Sequence, residues 1–493
     1  MLALILLTVL LLTGTALVFT ARASATAAHQ QARRIETDRA VAAALYLLGR
    51  DLKTVLESDT IRESLRSTFD QSPEAAEREV QDILTHAGPN LRRREGQLWL
   101  DGRARWTLTR GSGSDPRIYK ALYTLDATAS DASAAASSSL ELKGSVIVSI
   151  GHLPLCHYQA IMPESIMFDQ DTYKGPVRIE GEARFSSPML FFRDLETTTA
   201  SIAGIEQCVT RARIVTGAVP IDPVDRLLDR PLRDLSWEEI RVRLRLEPGP
   251  SPPPAGIYSD GSSGIFVVGD VEEMTLAADG DEQLVSVRHA TLGELAIRMR
   301  PEFTVVRMPD GAELTAFGMK DRLIVHGRIG ALGGGAQNDA GEIEQAQNVF
   351  DVSSPSVVRN LTIAASSGIG VSNHLVVPRS DAGDRPMIGI LSQRIAGDGA
   401  PGIFIAAPGR ELAIAAHLYV GGGNVSTDCA RATVESMQVF GGSIDPAAHI
   451  VVGYPSEAEG GGTAPPGYPV TGDPLVYVGR PVVSSLRVVE QAN

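Results

Sequence analysis

The chain has 493 residues, room for two to four domains, with 45 Lys and Arg against 59 Asp and Glu, a net charge of −14. That balance excludes nucleic acid and anionic lipid as the main partner, because phosphate binding needs clustered cations. Apolar residues are 43 %, enough to exclude wholesale disorder, while 5 % aromatics and 48 glycines suit stacked β-structure better than a deep-pocketed enzyme core.

Met1–Ala21 contains no charge, and Arg22 is the first ionisable side chain. Twenty helical residues rise about 30 Å, the thickness of the hydrocarbon layer, so a transmembrane helix over 1–21 is expected. A cleaved signal peptide would start with basic residues and carry a shorter apolar run. Beyond it Val41, Ala44, Leu45, Leu48, Leu52, Val55 and Leu56 recur at steps of three and four, the stripe of an amphipathic stalk helix over 22–68. No proline interrupts before Pro73, so one nearly continuous helix from about residue 2 to about 68 is expected, weakest at Gly49.

Residues 69–150 read as a small α+β region, with a short helix over 74–88 and a hairpin over Gly96–Gly111 whose Asp101-Gly102 is the turn. Residues 127–139 are low in complexity and read as a loop. A β-rich region follows over 151–245, then a stiff Pro-rich linker, LEPGPSPPPA, over 246–255. Residues 256–480 form a Gly-rich β domain, and 481–493 a tail. In that domain short β-branched runs end at glycine: GIFVVGDVEEMTL, LIVHGRIGAL, LTIAASSGIGVSNHLVV, IGIL, GIFIAA, LAIAAHLYV, MQVFGGSI and HIVVGY. Runs apolar on both faces need cover on both sides. The fold class is therefore mainly β with an N-terminal transmembrane and stalk helix, the C-terminal half β-solenoid-like, with a β-sandwich as the alternative. No fixed repeat period survives counting.

Two stretches resemble known families. LALILLTVLLLTGTALVFTARASA followed by QQARRIETDRAVAAALYLLGRDL looks like the N-terminus of type IV pilin-like proteins, closest to the pilus-assembly PilX type and the large minor pseudopilin of type II secretion. Two features depart from that pattern: no glycine-ended basic leader precedes Met1, and Ile5 stands where most major pilins carry glutamate. The Gly-rich half resembles an uncharacterised domain that follows PilX-type N-termini in bacterial pilus-associated proteins. FDQDTYKGPVRIEGEARFSSPMLF resembles that family's earlier segment, with Arg178-Ile179-Glu180 where the family carries His-Thr-Asn. The resemblance implies location and architecture and brings no activity.

Motifs of chemistry are weak. Gly370-Val371-Ser372-Asn373-His374 lacks the second glycine of a nucleophile elbow. Gly327, Gly330 and Gly333 lack the helix of a phosphate-binding turn, and no Walker A loop occurs. Cys156, Cys208 and Cys429 make neither a disulfide lattice nor a zinc cluster. His152, Cys156 and His157 offer soft ligands without a third partner, so a buried cysteine is the simpler reading. His326 and His417, inside apolar runs, read as structural histidines. Carboxylate pairs of the kind that cleave sugars are Asp169 with Asp171, Asp270 with Glu272, and Asp381 with Asp384. Asp279-Gly280-Asp281-Glu282 is an acidic loop without EF-hand spacing.

These readings predict a non-enzymatic, membrane-anchored structural component of a type IV pilus-like or type II secretion-like apparatus, a minor tip or initiation subunit. It would sit single-pass in the inner membrane with its large domain exported to the periplasm or cell surface. Its partners would be the lipid bilayer and pilin-like subunits, with no nucleic acid, metal or cofactor. The assembly interface would be Ile5, Leu7, Leu11, Val41, Leu45, Leu48 and Leu52. A membrane-tethered solenoid acting on or binding polysaccharide, and a generic tethered scaffold, are the alternatives.

Overall fold

A computed structural model describes most of residues 13–28 and 54–86, the strands between 90 and 150, and the greater part of 151–490. The chain divides into two compact units: Met1–Arg110, Tyr119–Gly151 and Pro474–Asn493 form the first, and Gly111–Ile118 with His152–Asp473 the second. The Pro-rich stretch 246–255 lies inside the second unit.

In the first unit the helices Asp59–Phe69 and Pro73–His86 bury Leu65 and Val80. Its antiparallel sheet runs Asn90–Glu95, Leu98–Arg110, Tyr119–Asp131, Ser138–Gly151, and the last of these pairs with both Leu475–Val478 and Val482–Glu490. The hairpin turn is displaced from its expected place. Glu95 faces Leu98, leaving two residues for the connection, and Asp101 and Gly102 lie inside the second strand opposite Arg92 and Leu91.

The expected helical architecture needs two corrections. Among the described residues no helix is long and apolar enough to cross a membrane. Residues 1–12, the greater part of the expected span, lie outside the described residues. The transmembrane helix over 1–21, the contact with a lipid bilayer, the membrane-anchored function and the single-pass inner-membrane placement therefore lose their support, and what stands is a mainly-β fold. The continuous helix to residue 68 is also interrupted. A bend at Ser58 separates Thr54–Leu56 from the helix that starts at Asp59.

The second unit is a stack of parallel coils. One long sheet carries an inward column of partners, Ile265, Leu323, Ile363, Ile390, Leu418, Met437, Ala160, Val177, Leu195 and Ile214, each in register with the next. All but Ile214 are fully buried, and each large aliphatic side chain so placed contributes about 1.5–3 kcal/mol relative to exposure. A second sheet lines the opposite wall through Val271, Ile329, Ile369, Ile403 and Val425. Glycine makes the close corners: at Gly370 a Cβ would overlap the Gly330 carbonyl oxygen of the coil beside it.

The spatial order is not the chain order. The chain enters mid-stack at Ala160 and runs outward through Val177 and Leu195 to Ile214. It then crosses to the far end at Ile265 and returns coil by coil until Met437 meets Ala160. The crossing segment lies on the outer face of the long sheet. There Leu227, Leu228, Ile240 and Leu244 pack with Phe266, Ile324, Ala364, Leu391, Tyr419 and Ile161. This segment, together with Ala464 and Tyr468, supplies the second cover that two-faced apolar strands require. An antiparallel meander from Val271–Asp279 to Glu313–Phe317 extends the second sheet, its strands alternating buried and exposed side chains.

Candidate functional site

The carboxylates singled out by sequence hold corners and hairpins. Asp270 Oδ1 accepts the Arg328 N–H at 2.8 Å, tying one coil corner to the next. Glu272 accepts from Arg288 Nε at 3.1 Å on the meander. Asp279 faces Glu282 across a two-residue turn at Gly280-Asp281, where Gly280 takes the left-handed φ of 59° that favours glycine. Glu282 pairs with Arg298 and Arg300, so the acidic loop is an ion-paired hairpin end. Asp171 accepts from the neighbouring Thr172 hydroxyl; Asp169, Asp381 and Asp384 lie outside the described residues. The assembly-interface residues Ile5, Leu7, Leu11, Val41, Leu45, Leu48 and Leu52 lie outside them too.

The remaining motifs are equally occupied. Asn373 Nδ2 donates to the Gly334 carbonyl at 2.9 Å, and its Oδ1 accepts the His374 N–H at 3.0 Å. His374 Nδ1 accepts the Ala413 N–H at 3.0 Å, so that ring nitrogen carries no proton; burial, then Arg410, holds its pKa below the usual value. At Gly327 and Gly330 a Cβ would overlap the backbone of Gly269 and Glu272, which makes these glycines packing residues of a corner. His152 Nδ1 lies 3.0 Å from the Thr471 carbonyl, Cys156 is buried with its thiol pushed up by desolvation, and the ring of His157 stands edge-on to Tyr158. All three cysteines are free thiols. Among the described residues no group of three or more His, Cys, Asp or Glu is placed to hold a metal ion.

Two charged clusters escaped the sequence reading. Arg178, only 3 % exposed, reaches Glu180 at 2.5 Å and Glu196 at 2.8 Å and donates to the Val219 carbonyl. Glu180 Oε1 also accepts the Ile221 N–H at 3.2 Å. The triplet Arg178-Ile179-Glu180 thus fastens the crossing segment to the long sheet. Tyr158 completes the cluster by donating to Glu196 at 3.2 Å.

The second cluster joins Glu435, His417, Ser436 and Arg385. His417 Nδ1 is 2.7 Å from Ser436 Oγ, His417 Nε2 is 3.6 Å from Glu435 Oε2, and Glu435 is ion-paired to Arg385. Ser436, His417 and Glu435 have the composition of a nucleophile, base and orienting acid. Their surroundings give them another role. His417, Glu435 and Ser436 are at most 1 % exposed, and Ser436 Oγ also accepts from Gln438 Nε2 at 3.0 Å. Burial, then Arg385, pulls the His417 pKa down to about 3, too weak a base to take a serine proton near neutrality. The sequence signal was a charge and a histidine one coil apart inside apolar runs.

No family profile matches the chain, and no curated protein matches it. Among solved structures it is similar to the competence-associated pilin ComZ from Thermus thermophilus, at 11 % identity, over 81 % of this chain and 87 % of that one, with a TM-score of 0.28. That is a distant and partial likeness to a pilin-type protein.

Proposed function

We propose that the protein is a non-enzymatic structural subunit related to pilins, of the PilX or minor-pseudopilin type, whose inserted stack of coils is a rigid body for display. The observation that carries this reading is the insertion. A small helix-and-sheet unit keeps its strands Ser138–Gly151 and Leu475–Val478 paired although more than 300 residues of coil separate them. The N-terminal sequence, which resembles pilin-like proteins, belongs to that small unit. Rigidity suits the role: the polar groups that chemistry would use are spent on corners, hairpins and the crossing segment.

Site-specific photocrosslinking in the source cells tests it. A photoreactive residue at Leu17 or Phe19, both exposed helical positions, should capture pilin-like subunits, and sheared surface filaments or assembled secretion complexes should contain the adduct. Adducts confined to proteins unrelated to pilins, with the chain absent from every filament fraction, would refute the reading.

A further inference from the structure

The place where the two runs of coils meet differs from every other junction in the stack. Most neighbouring strands of the long sheet pair over three to eight residues; here only Met437 with Ala160 and Gln438 with Ile161 do. Only the terminal pairing, Leu195–Glu196 with Ile214–Val215, is as short. On the other walls the sheets do not continue across. The second sheet ends at Asn424–Thr427, and a separate three-stranded sheet starts with Thr172–Tyr173. Among the described residues, therefore, the two runs of coils share one two-residue ladder at this plane, and the rest of that edge of Arg431–Val439 pairs with Ile450–Val452 of its own run.

Side-chain amides take the place of the missing ladder. Gln159 Nε2 donates to the Val452 carbonyl at 2.6 Å, Gln438 Nε2 to the Tyr158 carbonyl at 2.8 Å, and the Val452 N–H donates to Gln170 Oε1 at 2.6 Å. The Gly175 N–H holds the other end of the Gln159 amide at 2.7 Å, and the Tyr468 hydroxyl that of Gln438 at 2.6 Å. Gly175 is glycine because a Cβ there would overlap the Tyr454 ring lying across the plane. Gly175-Pro176-Val177 is one lip of this junction. Outside it the crossing segment is fastened on one side by Arg178 and on the other by Gln393, which donates to Asp225, and by Arg322.

We propose that this glutamine-sewn seam is a plane of separation built into the domain: the two stacks part there as units before either unfolds, with the crossing segment as tether. The physical reason is the kind of bond. A ladder bond between mid-stack strands breaks only with its neighbours, whereas an amide side chain releases its bond by rotating about its own torsions without breaking the strands on either side.

Hydrogen exchange on the intact chain, read by mass spectrometry, tests the proposal. Peptides covering 159–162 and 436–439 should exchange together and faster than those covering 361–365 and 388–392. Gln438→Leu, which removes the bond to the Tyr158 carbonyl across the plane together with those to Ser436 and Tyr468, should speed the seam peptides about tenfold or more and leave the mid-stack peptides unchanged. Gln283→Leu, which removes an equally buried amide far along the stack, should leave the seam unchanged. Equal protection of seam and mid-stack strands in the unaltered chain would overturn the proposal, and so would a uniform rise through all strands in Gln438→Leu. If that variant fails to fold, the unaltered chain's pattern decides alone.

Discussion

His417 stands in the run LAIAAHLYV with Leu418 turned to the core and Tyr419 to the crossing segment. Burial and Arg385 hold it neutral, and the Glu435 carboxylate 3.6 Å away is already committed to Arg385. Its folded pKa is about 3 and its unfolded pKa about 6.5. Below pH 6.5 the unfolded chain therefore binds a proton that the folded chain refuses. Stability from this group is complete above pH 6.5 and declines as pH falls toward 3, by up to about 1.4 kcal/mol per pH unit. Urea unfolding of the protein and of His417→Gln between pH 7 and 4 should show the difference between them narrowing as pH drops. A constant difference would mean that the imidazole does not resist protonation. The glycine phrase gives a second test at this scale: Gly175→Ala drives a methyl into the Tyr454 ring and should cost about 1–3 kcal/mol in the same assay.

At the scale of the element, the sequence showed where the strands are but not which of them touch. Each Gly-ended run is a strand or a corner between two: GIFVVGDVEEMTL contains Ile265–Val268 and the start of Val271–Asp279, joined at Gly269 with φ 113°. Two-faced apolarity was readable because both walls are covered. The absent period has a structural cause: register partners at 160, 177, 195 and 214 put 17 to 19 residues in a coil, whereas the meander stretches the step from Ile265 to Leu323 to 58. The hairpin placed at Asp101-Gly102 failed because turn chemistry is a local signal and pairing is decided by the neighbour. The partners of Arg178 and Glu435 could not be read, since a charge is tolerated in such strands only when a partner from another coil meets it. The inward column should show a gradient: Ile390→Ala, with strands on both sides, should lose about 2–5 kcal/mol. Ile214→Ala at the half-buried end should lose much less. Equal losses in urea unfolding would mean that the column does not end at Ile214.

For the whole molecule, the insertion makes the two units separable in principle. The second unit leaves and re-enters the first through adjacent strands. The Leu153 N–H donates to the Thr471 hydroxyl at 3.1 Å, the Thr471 N–H to the Leu153 carbonyl at 2.9 Å, and Pro154 bridges Val470. Gly151 and Leu475 are register partners in the first unit's own sheet. Such a root holds the ends of the inserted unit together whether or not the first unit is present, which is the condition under which an inserted domain folds alone. Residues 152–473, expressed by themselves, should therefore give a β-type circular dichroism spectrum and one cooperative unfolding transition. The complementary chain, with 153–471 replaced by a short Gly-Ser turn joining 152 to 472, should keep its antiparallel sheet, because the strand pairing Ser138–Gly151 to Leu475–Val478 needs only a hairpin connection. Loss of cooperative unfolding in the excised unit would show that its fold depends on the sheet into which it is inserted. If instead the excised unit folds and the shortened chain does not, the dependence runs the other way, and the coil would be holding the small unit's last strands in place.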